Sequence, residues 1–252
     1  MKWERLVPFI LFLGGWYAVT DIWRLVTPFF LPSPVQVFDY IFGAAGDGDL
    51  LEAIAASLGR FVAGLLIGLG LGAILAVCVA SSRRLAAIFI PLAKFFQAIA
   101  GVAWIPLAVL WFGISSAAAI FIITNTTFFV AFYTTLTGVQ AINPKLEWSV
   151  RSMGGTTAAV LRHVIIPGAL PHILSGLRIA VGYGWRTLIG AEIIASGLGL
   201  GVLIWDGQRF LDTSQIFAGL LIIGTISFFM DRCLVRPLER RTVERWGMVS
   251  RA

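Results

Sequence analysis

The sequence predicts an all-α integral membrane protein: a single polytopic domain over 1–252 with about six transmembrane helices and a structured cytoplasmic loop. Three observations carry that prediction. Of the 252 residues, 58% are hydrophobic and 13% charged, with a mean hydropathy of +0.90; a soluble domain needs about 25% charge to meet water. The apolar residues fall in continuous Gly/Ala/Leu/Ile-rich runs that match a hydrocarbon core of about 30 Å. A barrel would show alternating strands of about ten residues. Lipid leaves no backbone group unpaired, so continuous runs mean helices. Finally, basic residues crowd onto alternate loops, as a multi-pass chain requires.

The elements follow in order. Span 6–20 comes after Met1-Lys2-Trp3-Glu4-Arg5. It has the basic and apolar regions of a signal peptide, but Asp21-Ile22-Trp23-Arg24 replaces a small-residue cleavage site, so a retained span is expected. Segment 27–56 should lie outside, with a short surface helix near Val35–Phe42 and a flexible Gly46-Asp47-Gly48-Asp49. Span 61–80 carries Gly64, Gly68, Gly72, Ala76 and Ala80 at every fourth position, a stripe that lets helix backbones approach closely. The stripe suits a contact within the subunit, or a seam between subunits. Span 88–113 is interrupted by Pro91 and Pro106, and spans 117–139, 173–195 and 216–235 complete the set. Cys78 and Cys233 stand in apolar runs with no metal-ligand spacing and should be buried.

Orientation follows the charges. Lys2, Arg5, Arg83, Arg84, Lys145, Arg151, Arg162 and the tail 236–252 (Arg236, Arg240, Arg241, Arg245, Arg251) fall on one side. Asp39, Asp47, Asp49, Glu52, Asp206 and Asp212, with one basic residue, Arg209, fall on the other. Both termini should therefore be cytoplasmic. The net charge of +6 belongs to this asymmetry and to lipid contact by the basic tail, not to nucleic acid.

The inner loop 140–172 is neither polar nor featureless. Gly154-Gly155 breaks a first helix, and Thr156/Thr157 supply the cap of a second. Val160, Leu161, Val164 and Ile165 repeat at helical spacing until Pro167 stops the helix. Two short helices joined by a glycine turn make a docking surface, which a passive channel does not need. An intramembrane enzyme is excluded on residues: His163 and His172 are the only histidines, both in this loop, with no nucleophile or metal-ligand set beside them.

With these motifs in view, the chain resembles the membrane permeases of bacterial ATP-binding-cassette importers. Gly154, Ile165-Ile166-Pro167 and Pro171 match the spacing of their cytoplasmic signature, while Trp148-Ser149-Val150 stands where the family has Glu-Ala-Ala. Phe30-Leu31-Pro32-Ser33-Pro34, Ala103-Trp104-Ile105-Pro106-Leu107, Trp111-Phe112-Gly113-Ile114 and Pro167-Gly168-Ala169-Leu170-Pro171 are similar to the nitrate, sulfonate and taurine branch. So are Gly176-Leu177-Arg178 and Gly184-Trp185 through Ala191-Glu192.

The resemblance implies a homodimeric permease in the inner membrane, a small anionic cargo, and an external substrate-binding protein. It also implies two ATPase subunits docked through Arg151, Gly154, Gly155, Leu161, Ile165, Pro167 and Pro171. ATP and Mg would sit on those subunits, with no catalytic residue, cofactor or metal in this chain. The residues agree in one respect: no Gly-x-x-x-x-Gly-Lys-Ser/Thr loop occurs.

A charge inside the bilayer costs about 2.5 kcal/mol or more and normally faces protein or a cavity. Lys94, Gln97, Trp104, Asn125, Arg186 and Glu192 are accordingly the candidate translocation-path residues. Arg186 near mid-span would favour an anion. The alternative is an ion pair of Glu192 with Arg186 or Lys94. Arg178, nearer the inner end, should snorkel.

Overall fold

The computed structural model describes residues 7–235 and Pro237. Lys2, Arg5 and, Pro237 apart, the basic tail 236–252 lie outside the described residues. Every regular element described is helical. Four helices are long and apolar enough to cross a membrane, a bent pair makes a fifth, and a shorter apolar helix covers Ile10–Ile22.

The first helix, α1 (Val7–Tyr17), continues through a π turn at Ala18–Ile22. Next, α2 (Pro34–Asp47) begins in a capping box: Ser33 Oγ accepts from Gln36 N, and Gln36 Oε1 accepts from Ser33 N. That reciprocal cap satisfies two orphan donors, and Pro34 sits in the first turn where its missing N–H costs nothing. Only Gly48, at φ +89°, separates α2 from the 32-residue α3 (Asp49–Ala80). The expected flexible stretch at 46–49 is thus a one-residue hinge, and the helix expected from 61 starts at Asp49. Protein contact sustains those additional turns, since Leu50, Ala53, Ser57 and Arg60 are all buried.

The glycine stripe of α3 packs on α6 (Ser116–Gln140), a contact within the chain. A Cβ on Gly72 would lie 2.5 Å from the Phe128 carbonyl, and one on Gly68 would meet Thr127 Oγ1. The buried α3 carbonyl of Gly64 accepts from both Thr124 and Thr127 hydroxyls, each at 3.3 Å. On the other side of α6 lies α9 (Ile166–Ala195), whose Gly176 and Gly184 press on Thr134 and Thr127. Phe61 and Trp185 meet edge-on at 5.3 Å across α3 and α9. The three helices form one block, with backbones brought close by missing side chains.

Between them, the predicted span 88–113 is not one helix. α4 (Arg83–Gln97) and α5 (Ile105–Phe112) meet at 91° through a 3-10 turn, Gly101–Trp104. Neither proline is the break: Pro91 lies inside α4 and Pro106 in the first turn of α5. Pro106 favours a helix start, and Gly101 leaves room for Thr126, whose Oγ1 occupies the place of its Cβ.

Beyond α6 come α7 (Pro144–Ser152) and α8 (Thr157–Val160), which runs through a π turn at Leu161–Ile165 into α9. Helix therefore continues from Thr157 to Ala195, 39 residues, where Pro167 was expected to stop it. The wide π turn shifts the hydrogen-bond register just before Pro167, so the ring enters at a first turn with no bond to lose. α10 (Leu200–Arg209) and α11 (Thr213–Met230), extended by a π turn at Asp231–Val235, close the chain. Cys78 and Cys233 are exposed rather than buried; on lipid-facing helix surfaces a thiol is simply another small apolar group.

Candidate coupling segment and translocation cavity

The α7–α8 joint is defined at every residue. Asn143 Oδ1 accepts from Lys145 N at 3.0 Å to start α7, and Arg151 pairs with Glu147 one turn back at 2.9 Å. Helix α7 ends at Ser152, and two residues on stands Gly154, whose φ of +81° is costly for any side chain with a Cβ. The Gly155 N–H then donates to Val150 O at 2.9 Å, and a Cβ on Gly155 would lie 2.5 Å from Val150 Cγ1. Thr156 Oγ1 accepts from Ala159 N at 3.3 Å, capping α8. Two glycines thus do different work, one supplying a left-handed turn and the other a close approach.

Around this joint, Leu146, Trp148 and Met153 are exposed, Met153 by 88%. Of the expected coupling residues, Arg151, Gly154 and Gly155 form the joint itself. Leu161 and Ile165 bound the π turn, and Pro167 and Pro171 stand further up the same continuous helix. A cleft of about 530 Å³ separates α7 from that helix, lined by Ile142, Leu146, Val150, His163 and His172 among others.

A second cavity, of about 490 Å³, lies between the 98–104 turn, α6 and α9. Gln97, Asn125, Thr126, Tyr133, Tyr183 and Thr187 line it. Two expected path residues, Gln97 and Asn125, are therefore brought together from different helices. The others are not. Trp104 packs against Phe96 with ring centroids 6.0 Å apart and planes tilted by 43°, and its indole N–H is buried without a partner among the described residues. Lys94 and Arg186 are exposed on α4 and α9, outside the cavity lining.

Glu192 lies outside the cavity lining. It is 0% exposed and pairs with Arg60, at 2.7 Å, instead of with Arg186 or Lys94. Ser57 Oγ donates to the same carboxylate at 2.8 Å, and the Gly201 N–H at the start of α10 donates at 3.0 Å. Arg60 also donates to Ser116 Oγ at 3.0 Å and to the Leu198 carbonyl. Ser57 Oγ accepts from Leu200 N at 2.9 Å. One satisfied network therefore ties together α3, α6, α9 and α10. Gly199 (φ +142°) and Gly201 make room for it, since a Cβ on either would strike Glu192 at 2.5 or 2.7 Å.

Sequence reading missed Arg60 because it stands one residue before the apolar run and counts as a flank. The signal was present in the stripe: Arg60, Gly64, Gly68 and Gly72 are spaced by four, so Arg60 shares the buried face. Arg178 also has an acidic neighbour, Asp231 at 3.6 Å, so snorkelling alone does not account for it.

The family described as binding-protein-dependent transport system inner membrane component matches residues 68–243. The chain belongs to this family. This permease is 35% identical to the taurine transport system permease protein of Escherichia coli (strain K12) over 243 residues, covering 94% of this chain and 88% of the relative. It is 32% identical to the bicarbonate transport system permease protein of Synechococcus elongatus (strain ATCC 33912 / PCC 7942 / FACHB-805), covering 92% and 89%. In fold it is similar to an inward-facing MetNI methionine ABC transporter chain, with TM-score 0.67 over 77% of this chain and 95% of that chain at 17% identity. The permease is thus a membrane-spanning subunit of an ATP-binding-cassette importer.

Proposed function

We propose that two copies of this permease form an alternating-access path for a small anionic solute in the bacterial inner membrane, with both termini cytoplasmic. Two separate ATPase subunits bind ATP and Mg and dock against the α7–α8 joint. An extracytoplasmic binding protein delivers the cargo, and the permease itself contributes no catalytic site, metal or cofactor. The joint is the observation that carries this reading. Trp148 on α7 and Met153 in the turn that follows are exposed apolar groups beside the capped start of α8, and α8 continues without interruption into α9. Force applied at Gly154 therefore has a rigid lever to act on.

Support for an anion comes from relatives whose names specify taurine and bicarbonate. Support for a second copy comes from Lys94 and Arg186. Both are exposed on apolar helices, where lipid contact costs about 2.5 kcal/mol or more per charge and a facing subunit would enclose them. The test is co-purification followed by reconstitution. A stoichiometric ATPase partner and ATP-driven uptake support the reading; unaided conductance by the permease alone contradicts it.

A further inference from the structure

We infer that the cavity between the 98–104 turn, α6 and α9 is a transient site for a small oxyanion, a sulfonate or carboxylate-like group held by uncharged donors. The inference rests on the permease reading and names the substrate class of its path. About 490 Å³ is ample for such an ion, and ligand sites of this size usually place a few polar groups among apolar walls. What distinguishes the cavity is the kind of polar group present. No Asp, Glu, Lys or Arg lines it.

Its hydroxyls and amides divide into two classes. Thr126 and Thr134 spend their protons on Ile122 O and Val130 O of their own helix, at 3.2 and 2.8 Å. Free to donate are the amides of Gln97 and Asn125 and the hydroxyls of Tyr133, Tyr183 and Thr187. The Tyr133 hydroxyl is the telling member, because it is buried with no hydrogen-bond partner among the described residues. A buried, unsatisfied donor on a cavity wall is relieved by an acceptor that occupies the cavity.

A cationic donor would add direct Coulomb attraction to its hydrogen bond and hold an anion more strongly than these uncharged donors do. A path that must release its cargo on the far side gains from the weaker set, just as conducting sites must bind without trapping. Lys94 and Arg186 then set the sign of the field from outside the cavity, and the neutral donors make the contacts.

Uptake by the permease assembled with its ATPase and binding protein in proteoliposomes tests this, with taurine, ethanesulfonate and bicarbonate as probes and choline and sorbitol as controls. Wild type should carry at least one of the oxyanions and neither control. Tyr133→Phe should lower kcat about 10-fold or more, the worth of one hydrogen bond to a charged group, with KM and the unfolding midpoint in detergent unchanged. Asn125→Asp should lower oxyanion uptake about 10-fold or more by like-charge repulsion, while Asn125→Gln retains most of it. Unchanged uptake in Tyr133→Phe and Asn125→Asp overturns the site and leaves the permease reading intact; transport of choline or sorbitol alone overturns the site and the anionic cargo with it, leaving only ATP-driven import by the permease. Wild type that moves no solute with ATP defeats that reading, and this inference with it.

Discussion

Removing one partner of the Arg60–Glu192 pair should cost more than breaking any other described ion pair in the bundle. The carboxylate offers two acceptor oxygens to three donors, Ser57 O–H, Arg60 N–H and Gly201 N–H, and is wholly enclosed. In Glu192→Gln an amide NH₂ must face one of those donors, and Arg60 keeps a charge with nothing opposite. Breaking a buried pair from one side costs about 3–5 kcal/mol. At roughly 2–4 °C per kcal/mol for a chain of this size, the unfolding midpoint in detergent should fall by about 6 °C or more. Arg60→Met should cost a similar amount, and the double variant Arg60→Met/Glu192→Leu much less than the sum, since apolar replacement of a whole pair is often near neutral. Lys94→Met and Arg186→Met should each add independently to Glu192→Gln. Additive losses for Arg60 and Glu192, or coupling of Glu192 to Arg186 or Lys94, would refute the network.

Other outcomes follow from the same geometry. Gly68→Val should abolish folding, because its Cβ position holds Thr127 Oγ1 and lies 2.8 Å from Thr124 O. Gly70→Ala, on the same helix with nothing within 4 Å, should be neutral or stabilise by up to about 1 kcal/mol; yields of folded protein compare the two. Thr156→Ala removes the α8 cap and should cost about 1 kcal/mol, read in the unfolding midpoint. Tyr40 on α2 should ionise above 10.0, because burial and then the charges of Asp212, Asp49 and Asp206 disfavour the phenolate. Its contribution to stability is present below the ordinary phenol pKa and is lost as pH rises through the folded value. Asp206→Asn should shift the absorbance titration of Tyr40 downward.

Much of the fold is legible in the sequence because lipid imposes a simple rule: an apolar run must be a helix. The glycine turn at 154–155 and its threonine cap are equally local, so φ preference and hydrogen-bond chemistry reveal them. Less legible is whatever depends on a neighbour. α3 begins at Asp49 because Leu50, Ala53 and Ser57 find partners on other elements, which no hydropathy window detects. Pro167 reads as a stop until the π turn before it is known. The bend at 98–104 depends on Thr126 of another helix occupying the place of a Gly101 Cβ. The candidate path was half legible. Gln97 and Asn125 share a cavity, whereas Tyr133 and Thr187 look like ordinary helix residues until α6 and α9 are placed side by side.

The contact between Met153 and an ATPase subunit is the most direct measure of the α7–α8 joint as a coupling device. With Cys78 and Cys233, the only two cysteines, replaced by alanine, Met153→Cys can be labelled with a water-soluble maleimide in the isolated permease and in the ATPase-bound complex. At 88% exposure it should react rapidly alone and be protected in the complex, with protection that changes on adding ATP. Equal labelling in both states, in a complex that still imports its cargo, would contradict the account.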